Sequence, residues 1–244
     1  MSAVAASSGD EDRGGADEDL AGLHAALIGW YGDHARELPW RGESASPWAV
    51  MVSEFMLQQT PVARVLPVFE QWIERWPTPA DLAAERAGEA VRLWGRLGYP
   101  RRALRLHAAA QTIVERHNGE VPADHGELRA LPGVGDYTAA AIATFAFGQR
   151  HAVLDTNVRR VLARVVRGDE LPPASVTVAE RAMAEALLPG DGDAPVWSIA
   201  VMELGALICT ATRPACERCP VSQRCAWVAA GRPAWAGPPR KAQA

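Results

Sequence analysis

Leu131-Pro132-Gly133-Val134-Gly135, followed by Asp136, Tyr137 and an alanine-rich run to Phe147, is the stretch that decides the fold. Its proline and two glycines predict a tight turn, in which Gly133 and Gly135 can take positive φ and let a partner approach the backbone closely. Asp136 is expected to cap the helix that follows. Backbone amides at a helix start can bind an anion. The stretch therefore predicts either an anion-binding helix start or an ordinary turn between helices.

A second helix start lies about one helix further on, where Asp155 is placed to open a helix that runs to Val166. Outward from there, apolar residues recur at helical spacing from Leu20 to Tyr31. No segment alternates as a strand does, so the chain is predicted to be all-α. A capping residue precedes a proline at three further helix starts, Ser46-Pro47, Thr60-Pro61 and Thr78-Pro79. More helices are predicted near 87–96, 101–117, 124–130, 176–188 and 195–208.

Charge is unevenly distributed along the 244 residues, whose formal net charge is −4. Residues 1–19 carry −5 and are rich in Ala, Ser, Gly and Asp, which predicts a disordered acidic tail. The remaining body is near +1, with basic clusters at 101–105 and 211–241 that suit weak scanning of DNA or an ordinary solvated surface. No apolar run reaches membrane-spanning length and the N-terminus is not signal-like, so we expect a cytoplasmic protein that binds no membrane.

All four cysteines fall within seventeen residues, in the spacing C-x6-C-x2-C-x5-C. Clustered thiols in a chain without a signal sequence favour a metal site over disulfides. On spacing alone, a structural zinc ion and an iron–sulfur cluster are equally acceptable, because both take four thiolates. The candidate ligands are Cys209, Cys216, Cys219 and Cys225.

These motifs together resemble the MutY family of adenine DNA glycosylases, within the endonuclease III and helix-hairpin-helix superfamily. The resemblance runs from about residue 20 to 229 and is carried by Ser53-Glu54-Phe55-Met56-Leu57-Gln58-Gln59-Thr60, the glycine turn and the cysteines. It implies a helix-hairpin-helix glycosylase fold whose turn, at Gly133, Val134 and Gly135, grips a DNA phosphate. It also implies a [4Fe–4S] cluster rather than zinc, with Arg213 and Arg218 presented to DNA by the cluster loop.

Hydrolysis of an N-glycosidic bond resembles glycoside hydrolysis, in which two carboxylates divide the work around an oxocarbenium-like transition state. By resemblance, Glu54 is the general acid and Asp155 stabilises the sugar cation, with Asn157 beside it and Tyr137 in the active site. Glu54 adjoins apolar residues, and partial burial would keep it protonated. Judged alone, each carboxylate has a simpler explanation, as an exposed helix residue or a helix cap.

The resemblance further implies which residues handle the DNA, since the target base must leave the duplex. One set matches side chains that enter the gap and contact the opposite base: Gln58, Gln59 and Tyr99. Another matches the adenine pocket: Leu38, Trp40 and Arg41. A packed Trp and a solvated Arg at a helix end would explain this second set equally well.

Four features depart from the family pattern. Thr156 follows the catalytic Asp where Gly is frequent, Pro100 replaces a second Tyr, and Ile199 stands where an amide or acid often faces adenine. The sequence ends at residue 244 without the C-terminal domain that reads 8-oxoguanine in this family. Preference for that opposite base is therefore in doubt.

The predicted architecture is a six-helix barrel domain over residues 46–149, which carries the hairpin, and an iron–sulfur cluster domain formed by 20–45 and 150–229. Glu54 and Asp155 are expected to face each other across the cleft between these domains. Residues 230–244 are expected to form a flexible tail.

The predicted function is base excision repair by a monomeric, nucleoid-associated glycosylase that removes adenine opposite 8-oxoguanine or guanine in double-stranded DNA. Strand cleavage would need an amine nucleophile. Tyr137 occupies the position of the endonuclease III lysine, and the only Lys is Lys241, so the enzyme is predicted to be monofunctional. The alternatives are an endonuclease III-like enzyme, a thymine/guanine mismatch glycosylase and a non-catalytic iron–sulfur DNA-binding protein. Retention of both Glu54 and Asp155 speaks against the last, and Gln58-Gln59-Thr60 against the thymine enzyme.

Overall fold

The computed structural model describes residues 10–42, 44–190 and 192–236, and this part of the chain is helical without any β-strand. The prediction of an all-α protein is thereby confirmed. The helices are α1 (Asp10–His34), α2 (Pro47–Leu57), α3 (Val62–Arg75), α4 (Pro79–Ala84), α5 (Ala87–Trp94), α6 (Arg101–Arg116), α7 (His125–Ala130), α8 (Asp136–Phe147), α9 (Thr156–Leu162), α10 (Val178–Ala186), α11 (Ala194–Leu207) and α12 (Ala226–Ala229). A π-helical turn, Ala163–Arg167, extends α9, and 3-10 turns occupy Pro39–Arg41, Cys216–Arg218 and Ser222–Arg224.

Internal contacts divide the chain into two compact units. We call Arg36–Val153 the hairpin unit, and Met1–Ala35 together with Leu154–Ala244 the cysteine unit. Residues 36–45, which the sequence assigned to the cluster domain, belong to the hairpin unit. The reason is packing, because the turn Pro39–Arg41 contacts α2 and the Trp40 ring meets Phe69 edge-on with centroids 4.9 Å apart. The cleft between the predicted domains stays a prediction.

Tryptophans fill the core of the hairpin unit. Trp72 meets Trp76 and Trp94 edge-on, with ring centroids 4.7 and 5.6 Å apart. All three rings are buried, and burial of each such side chain contributes about 1.5–3 kcal/mol. The Trp48 indole donates to the carbonyl of Trp76 at 3.0 Å. This core supports α2, which packs against α3, α6 and α8.

Two helix starts follow the capping signals of the sequence. The Ser46 side chain accepts from the N–H of Ala49 at 3.1 Å, directly before Pro47 at the first position of α2. Thr78 and Asp81 cap the start of α4 reciprocally, each satisfying a backbone N–H of the other. The predictions for α2 and α4 are therefore confirmed.

Two other cap predictions are wrong. Thr60 is not the cap of α3, because its hydroxyl accepts from Arg102 at 2.9 Å instead. Gly135 rather than Asp136 is the N-cap of α8. Asp136 lies in the first turn of that helix, and its carboxylate is 3.4 Å from the Arg129 guanidinium.

In the cysteine unit, α11 packs against both α1 and α9. The Arg224 guanidinium pairs with Asp19 at 3.0 Å and so ties the segment before α12 to α1. α1 begins at Asp10, so residues 10–19 are helical and not disordered as predicted. The physical reason is that each residue added to the end of an existing helix gains a backbone hydrogen bond. Residues 1–9 of the predicted tail lie outside the described residues.

The end of the described chain lies against the cysteine unit. The Trp227 indole donates to the carbonyl of Pro233 at 2.8 Å, and the N–H of Trp235 donates to the Glu170 carboxylate at 2.6 Å. These contacts differ from the flexible tail predicted from residue 230. Residues 237–244, with Lys241, lie outside the described residues. Within the described residues, no helix is long and apolar enough to cross a membrane.

Candidate active site and cluster-binding loop

Asp155 is the N-cap of α9, as the sequence predicts. Its Oδ1 accepts from the N–H of Val158 at 2.6 Å, and its Oδ2 accepts from the Asn157 amide at 3.0 Å. The carboxylate is therefore fixed on both oxygens, one by the helix backbone and one by a side chain two residues later. This arrangement goes beyond a plain cap, because an N-cap needs only the first of these bonds.

Burial raises the pKa of Asp155, and this effect exceeds the opposing hydrogen bonds from Val158 and Asn157 and the attraction of Arg160. A carboxylate in a poorly hydrated place is a stronger electrostatic partner for a developing cation than one in water. The residue as a whole is partly buried. Asp155 thus combines fixed geometry with reduced hydration of its carboxylate.

Arg160 connects this carboxylate to the first cysteine. Its guanidinium donates to the Asn157 side-chain oxygen at 2.8 Å, to the carbonyl of Gly205 at 2.7 Å and to the carbonyl of Cys209 at 2.8 Å. Gly205 permits the close approach of α11 to α9, since a Cβ there would lie 2.6 Å from the Cβ of Asn157. The Asn157 amide is therefore held from two sides, by Asp155 and by Arg160.

Glu54 and Tyr137 lie in the hairpin unit, on α2 and α8, which pack against each other. Glu54 is 6% exposed, flanked on its helix by fully buried residues, which excludes the exposed-helix explanation. Tyr137 follows Asp136 in the first turn of α8 and is half-buried. Their predicted roles as acid and active-site tyrosine stay predictions.

The hairpin turn lies between α7 and α8. Gly133 has φ of 82°, as predicted, and a Cβ there would lie 2.7 Å from the Cβ of Arg105 and 2.9 Å from the Phe55 ring. Gly135 has φ of −92° and so does not use the positive φ that glycine permits. Val134 is buried and its N–H donates to the carbonyl of Leu131 at 3.1 Å. The turn therefore packs against α2 at Phe55 and against α6 at Arg105.

The predicted DNA-contacting residues divide into exposed and buried groups. Tyr99 is 62% exposed, and in the turn after α2 Gln59 is exposed and Gln58 is half-buried. Leu38 and Trp40 are buried in the hairpin-unit core, and Arg41 beside them is half-buried. A base-contacting role for the first group and an adenine-pocket role for the second stay predictions.

The four cysteines are free thiols that line one cavity of about 330 Å³, counting its open mouth. The π-helical turn and α12 supply the rest of its wall, including Arg164 and Trp227. Among the described residues, no three His, Cys, Asp or Glu side chains converge on a position for a single metal ion. Four thiols around one cavity fit a cluster that takes one thiolate at each iron.

Burial, with a smaller contribution from the three neighbouring cysteines, raises the pKa of the Cys219 thiol to about 11. Burial likewise raises the pKa of Cys225. Deprotonation of all four thiols is therefore unfavourable unless positive charge lies among them. The iron ions of a bound cluster would provide that charge. Arg164 adds a positive charge of the chain itself, because its fully buried guanidinium donates to Cys209 Sγ at 3.4 Å and lies over the Trp227 ring at 4.7 Å.

Comparison with known proteins agrees with this geometry. Residues 52–185 match the HhH-GPD superfamily of base excision DNA repair proteins, and residues 209–225 match the iron-sulfur binding domain of endonuclease III. An adenine DNA glycosylase of Mycobacterium tuberculosis is 52% identical over 218 residues, which span 89% of this chain and 71% of that relative. The chain belongs to the adenine DNA glycosylase family.

Proteins named thymine-DNA glycosylase are also similar to this member of the adenine DNA glycosylase family. A thymine-DNA glycosylase of Aeropyrum pernix is 35% identical over 217 residues, which span 84% of this chain and 94% of that relative. The solved structure of a thermostable thymine-DNA glycosylase superposes with a TM-score of 0.79 at 26% identity, covering 88% of this chain and 99% of that one. The predictions of the glycosylase fold, of a base excision repair enzyme, of a DNA partner and of the [4Fe–4S] cofactor are confirmed.

Three arginines that the sequence did not single out organise the sites of this family member: Arg102, Arg160 and Arg164. In a chain whose basic residues are almost all Arg, identity alone carries no signal. A spacing signal exists for two of them, since Arg160 and Arg164 lie four residues apart, on one helix face after Asp155. No spacing distinguishes Arg102 from its neighbours Arg101 and Arg105.

Proposed function

We propose that this chain hydrolyses the N-glycosidic bond of adenine paired with 8-oxoguanine or guanine in double-stranded DNA, and that it acts as a monomer associated with the nucleoid. The observation that carries the proposal is the Asp155 carboxylate, fixed on both oxygens and weakly hydrated. Such a group stabilises an oxocarbenium-like sugar and costs no reorganisation when the bond breaks. The adenine preference rests on the 52% identity to an adenine enzyme.

In the proposed reaction Glu54 donates a proton to N7 of adenine, and the bond between the sugar C1′ and N9 breaks with its electron pair leaving on the base. Asp155 stabilises the sugar cation, and a water adds to C1′ and transfers one proton to the surrounding solvent, which leaves an abasic site. Burial of Glu54 favours the protonated acid that this step requires. Asn157, held by Arg160, keeps Asp155 in place.

The cluster supplies a structural cross-link when bound, holding the loop of Cys209, Cys216, Cys219 and Cys225. Arg213 and Arg218 on that loop are exposed, which suits contact with phosphates. The amides that begin α8, at Gly135 and beyond, are proposed to bind a further phosphate.

The test is an alkali-dependent strand-break assay on duplexes containing adenine, thymine or thymine glycol opposite 8-oxoguanine, guanine or adenine. Breaks only at adenine, only after alkali, are expected. Glu54→Gln is expected to retain DNA binding and to lose base release, because only the transferable proton is removed. Near-wild-type rates in this variant would show that the acid is misassigned.

Absence of strand cleavage rests on Tyr137, which stands where a Schiff-base lysine would be needed. Borohydride trapping is expected to give little covalent adduct with the unmodified protein and more with Tyr137→Lys. Efficient trapping by the unmodified protein, undiminished in Lys241→Ala, would refute the monofunctional proposal.

A second candidate function is removal of thymine opposite guanine. It is favoured by the similarity to the thymine-DNA glycosylase of Aeropyrum pernix, because the match spans 94% of that relative's length. Release of thymine from a thymine/guanine duplex, at a rate exceeding that of adenine in the same assay, would establish it.

A further inference from the structure

Two turns of the hairpin unit hold a non-glycine residue in the left-handed region. Gln59 has φ of 57° and Tyr99 has φ of 49°, and these are two of only four such residues in the described chain. This conformation costs of order 1–3 kcal/mol per residue and persists where the surrounding structure enforces it. Both residues carry exposed side chains, and the family resemblance predicts that these side chains enter the DNA gap. The element that enforces both turns therefore bears on that function.

One guanidinium holds the first turn. Arg102 Nη1 donates to the carbonyls of Phe55 and Met56, each at 3.0 Å, and to the carbonyl of Gln58. The last carbonyls of a helix lack partners within it and face the negative end of the helix dipole. Arg102, from α6, thus caps the C-terminus of α2 and fixes the chain as it enters Gln59.

The same guanidinium holds the second turn. Arg102 Nη2 donates to the carbonyl of Gly98 at 3.1 Å and to the Thr60 hydroxyl at 2.9 Å. The Thr60 hydroxyl also donates to the carbonyl of Leu97 at 3.3 Å, so it links the two turns directly. The two turns therefore share one centre, and neither can shift alone without breaking a bond to it.

Aromatic rings complete the enclosure of this centre. The Arg102 Cζ lies 5.2 Å from the Trp94 ring centroid and 5.4 Å from that of Tyr99, within cation–π distance. Arg102 is 6% exposed, whereas Tyr99 is 62% exposed, so one face of the Tyr99 ring is anchored while much of it projects outward. Burial lowers the pKa of the guanidinium, which nevertheless stays charged.

We propose that Arg102 is a positioning residue that sets Gln59 and Tyr99 as one rigid two-pronged wedge for the gap in a DNA duplex from which a base has been extruded. The inference rests on the proposed function, because it assumes that these two residues enter the DNA. Arg102 does not contact the DNA itself. A rigid wedge lowers the cost of unstacking, and it is needed only where the target base is stacked and paired.

The experiment compares two substrates with the full-length, cluster-loaded protein. One is a duplex with adenine opposite 8-oxoguanine, and the other places the same adenine in an unpaired bubble. Arg102→Lys keeps the charge but cannot reach both turns with a planar fork. Its single-turnover rate is expected to fall at least about tenfold on the duplex and less than about threefold on the bubble. The matched control is Arg116→Lys, an exposed position of the same helix, which is expected to change neither rate.

A second variant and a second readout keep the test decisive. Thr60→Val removes the hydroxyl that links the turns but leaves the guanidinium, and is expected to give a smaller loss confined to the duplex. If Arg102→Lys does not fold, this variant decides alone. Fluorescence of 2-aminopurine placed beside the target base reports unstacking without chemistry, and its rise on binding is expected to be smaller in both variants.

Equal losses on duplex and bubble would overturn the proposal, because they would mean a general structural role. Unchanged duplex rates would overturn it as well. If the unmodified protein released adenine from neither substrate, the proposed function would fail instead. The fluorescence comparison would still support or overturn the role of Arg102 in that case, since it needs no base release.

Discussion

Gly133→Ala tests how the hairpin turn is built. An L-residue in the left-handed region costs about 1–2 kcal/mol, and φ at this position is 82°. The new methyl group would also approach the Arg105 Cβ to 2.7 Å and the Phe55 ring to 2.9 Å. Relief of that overlap costs about 1–3 kcal/mol more. Because Phe55 adjoins Glu54, the repacking would also displace the proposed general acid.

The expected loss is therefore about 2–5 kcal/mol, and 3 kcal/mol would lower Tm by roughly 6–12 °C in a chain of this size. Thermal melting by circular dichroism measures it. Gly135→Ala is the matched control, because φ is −92° and a Cβ there meets nothing within 4 Å. It is expected to melt within about 1 °C of the unmodified protein. DNA affinity in a fluorescence anisotropy titration would nevertheless weaken, because the methyl group stands where the phosphate is proposed to bind.

The reasoning would be refuted if Gly133→Ala melted with the unmodified protein, or if both glycine variants melted equally early. The first result would mean that the turn yields without cost. The second would mean that Gly135 also supports the fold, and that its open surroundings do not predict tolerance.

Three further predictions concern the cysteine unit. Burial raises the pKa of Asp155, so the native state binds more protons than the unfolded chain and loses stability as pH rises from about 3.9 through the folded pKa. Asp155→Asn is therefore expected to raise Tm at pH 7, increasingly so from pH 4 upward in thermal melts, while abolishing base release. Gly205→Ala places a methyl group 2.6 Å from the Asn157 Cβ and is expected to slow base release at least about tenfold in single-turnover assays. Gly29→Ala in α1 is the control, because a Cβ at this position meets nothing within 4 Å. It is expected to raise the free energy of unfolding slightly, as measured by urea melts. Removal of the cluster is expected to leave Cys219 protonated at pH 8, since its pKa is about 11, so iodoacetamide alkylates it roughly a hundredfold more slowly than in the denatured chain. Equal alkylation rates would contradict this.

The sequence predicts most of the helices because their signals are local. Proline after a capping residue marks the starts of α2 and α4, and apolar spacing marks α1. Where the prediction fails, a distant partner competes for the same group. Thr60 looks like a cap by local chemistry, yet its hydroxyl is taken by Arg102, which lies 42 residues away along the chain.

The site is predictable only as far as its residues form short motifs. Asp155, Asn157 and the four cysteines carry such motifs, whereas their supports do not. Arg160 reaches a carbonyl 49 residues later and Arg102 reaches carbonyls up to 47 residues earlier. A guanidinium group binds the backbone carbonyl of any residue type equally well. The residue type of the acceptor therefore gives no signal in the sequence. Tertiary structure alone reveals these bonds.

The division of the cysteine unit between both ends of the described chain has a consequence for protein synthesis. α1 packs against α11, which begins 160 residues after α1 ends, at Ala194. At translation rates of about 5–20 residues per second, α1 waits roughly 8–32 seconds on the ribosome for its partner. The hairpin unit is continuous in sequence and can fold during that interval. The iron–sulfur cluster can then be inserted only after Cys225 has left the ribosomal exit tunnel. A shortage of clusters would therefore leave chains in which the hairpin unit is folded and the cysteine unit lacks its cluster.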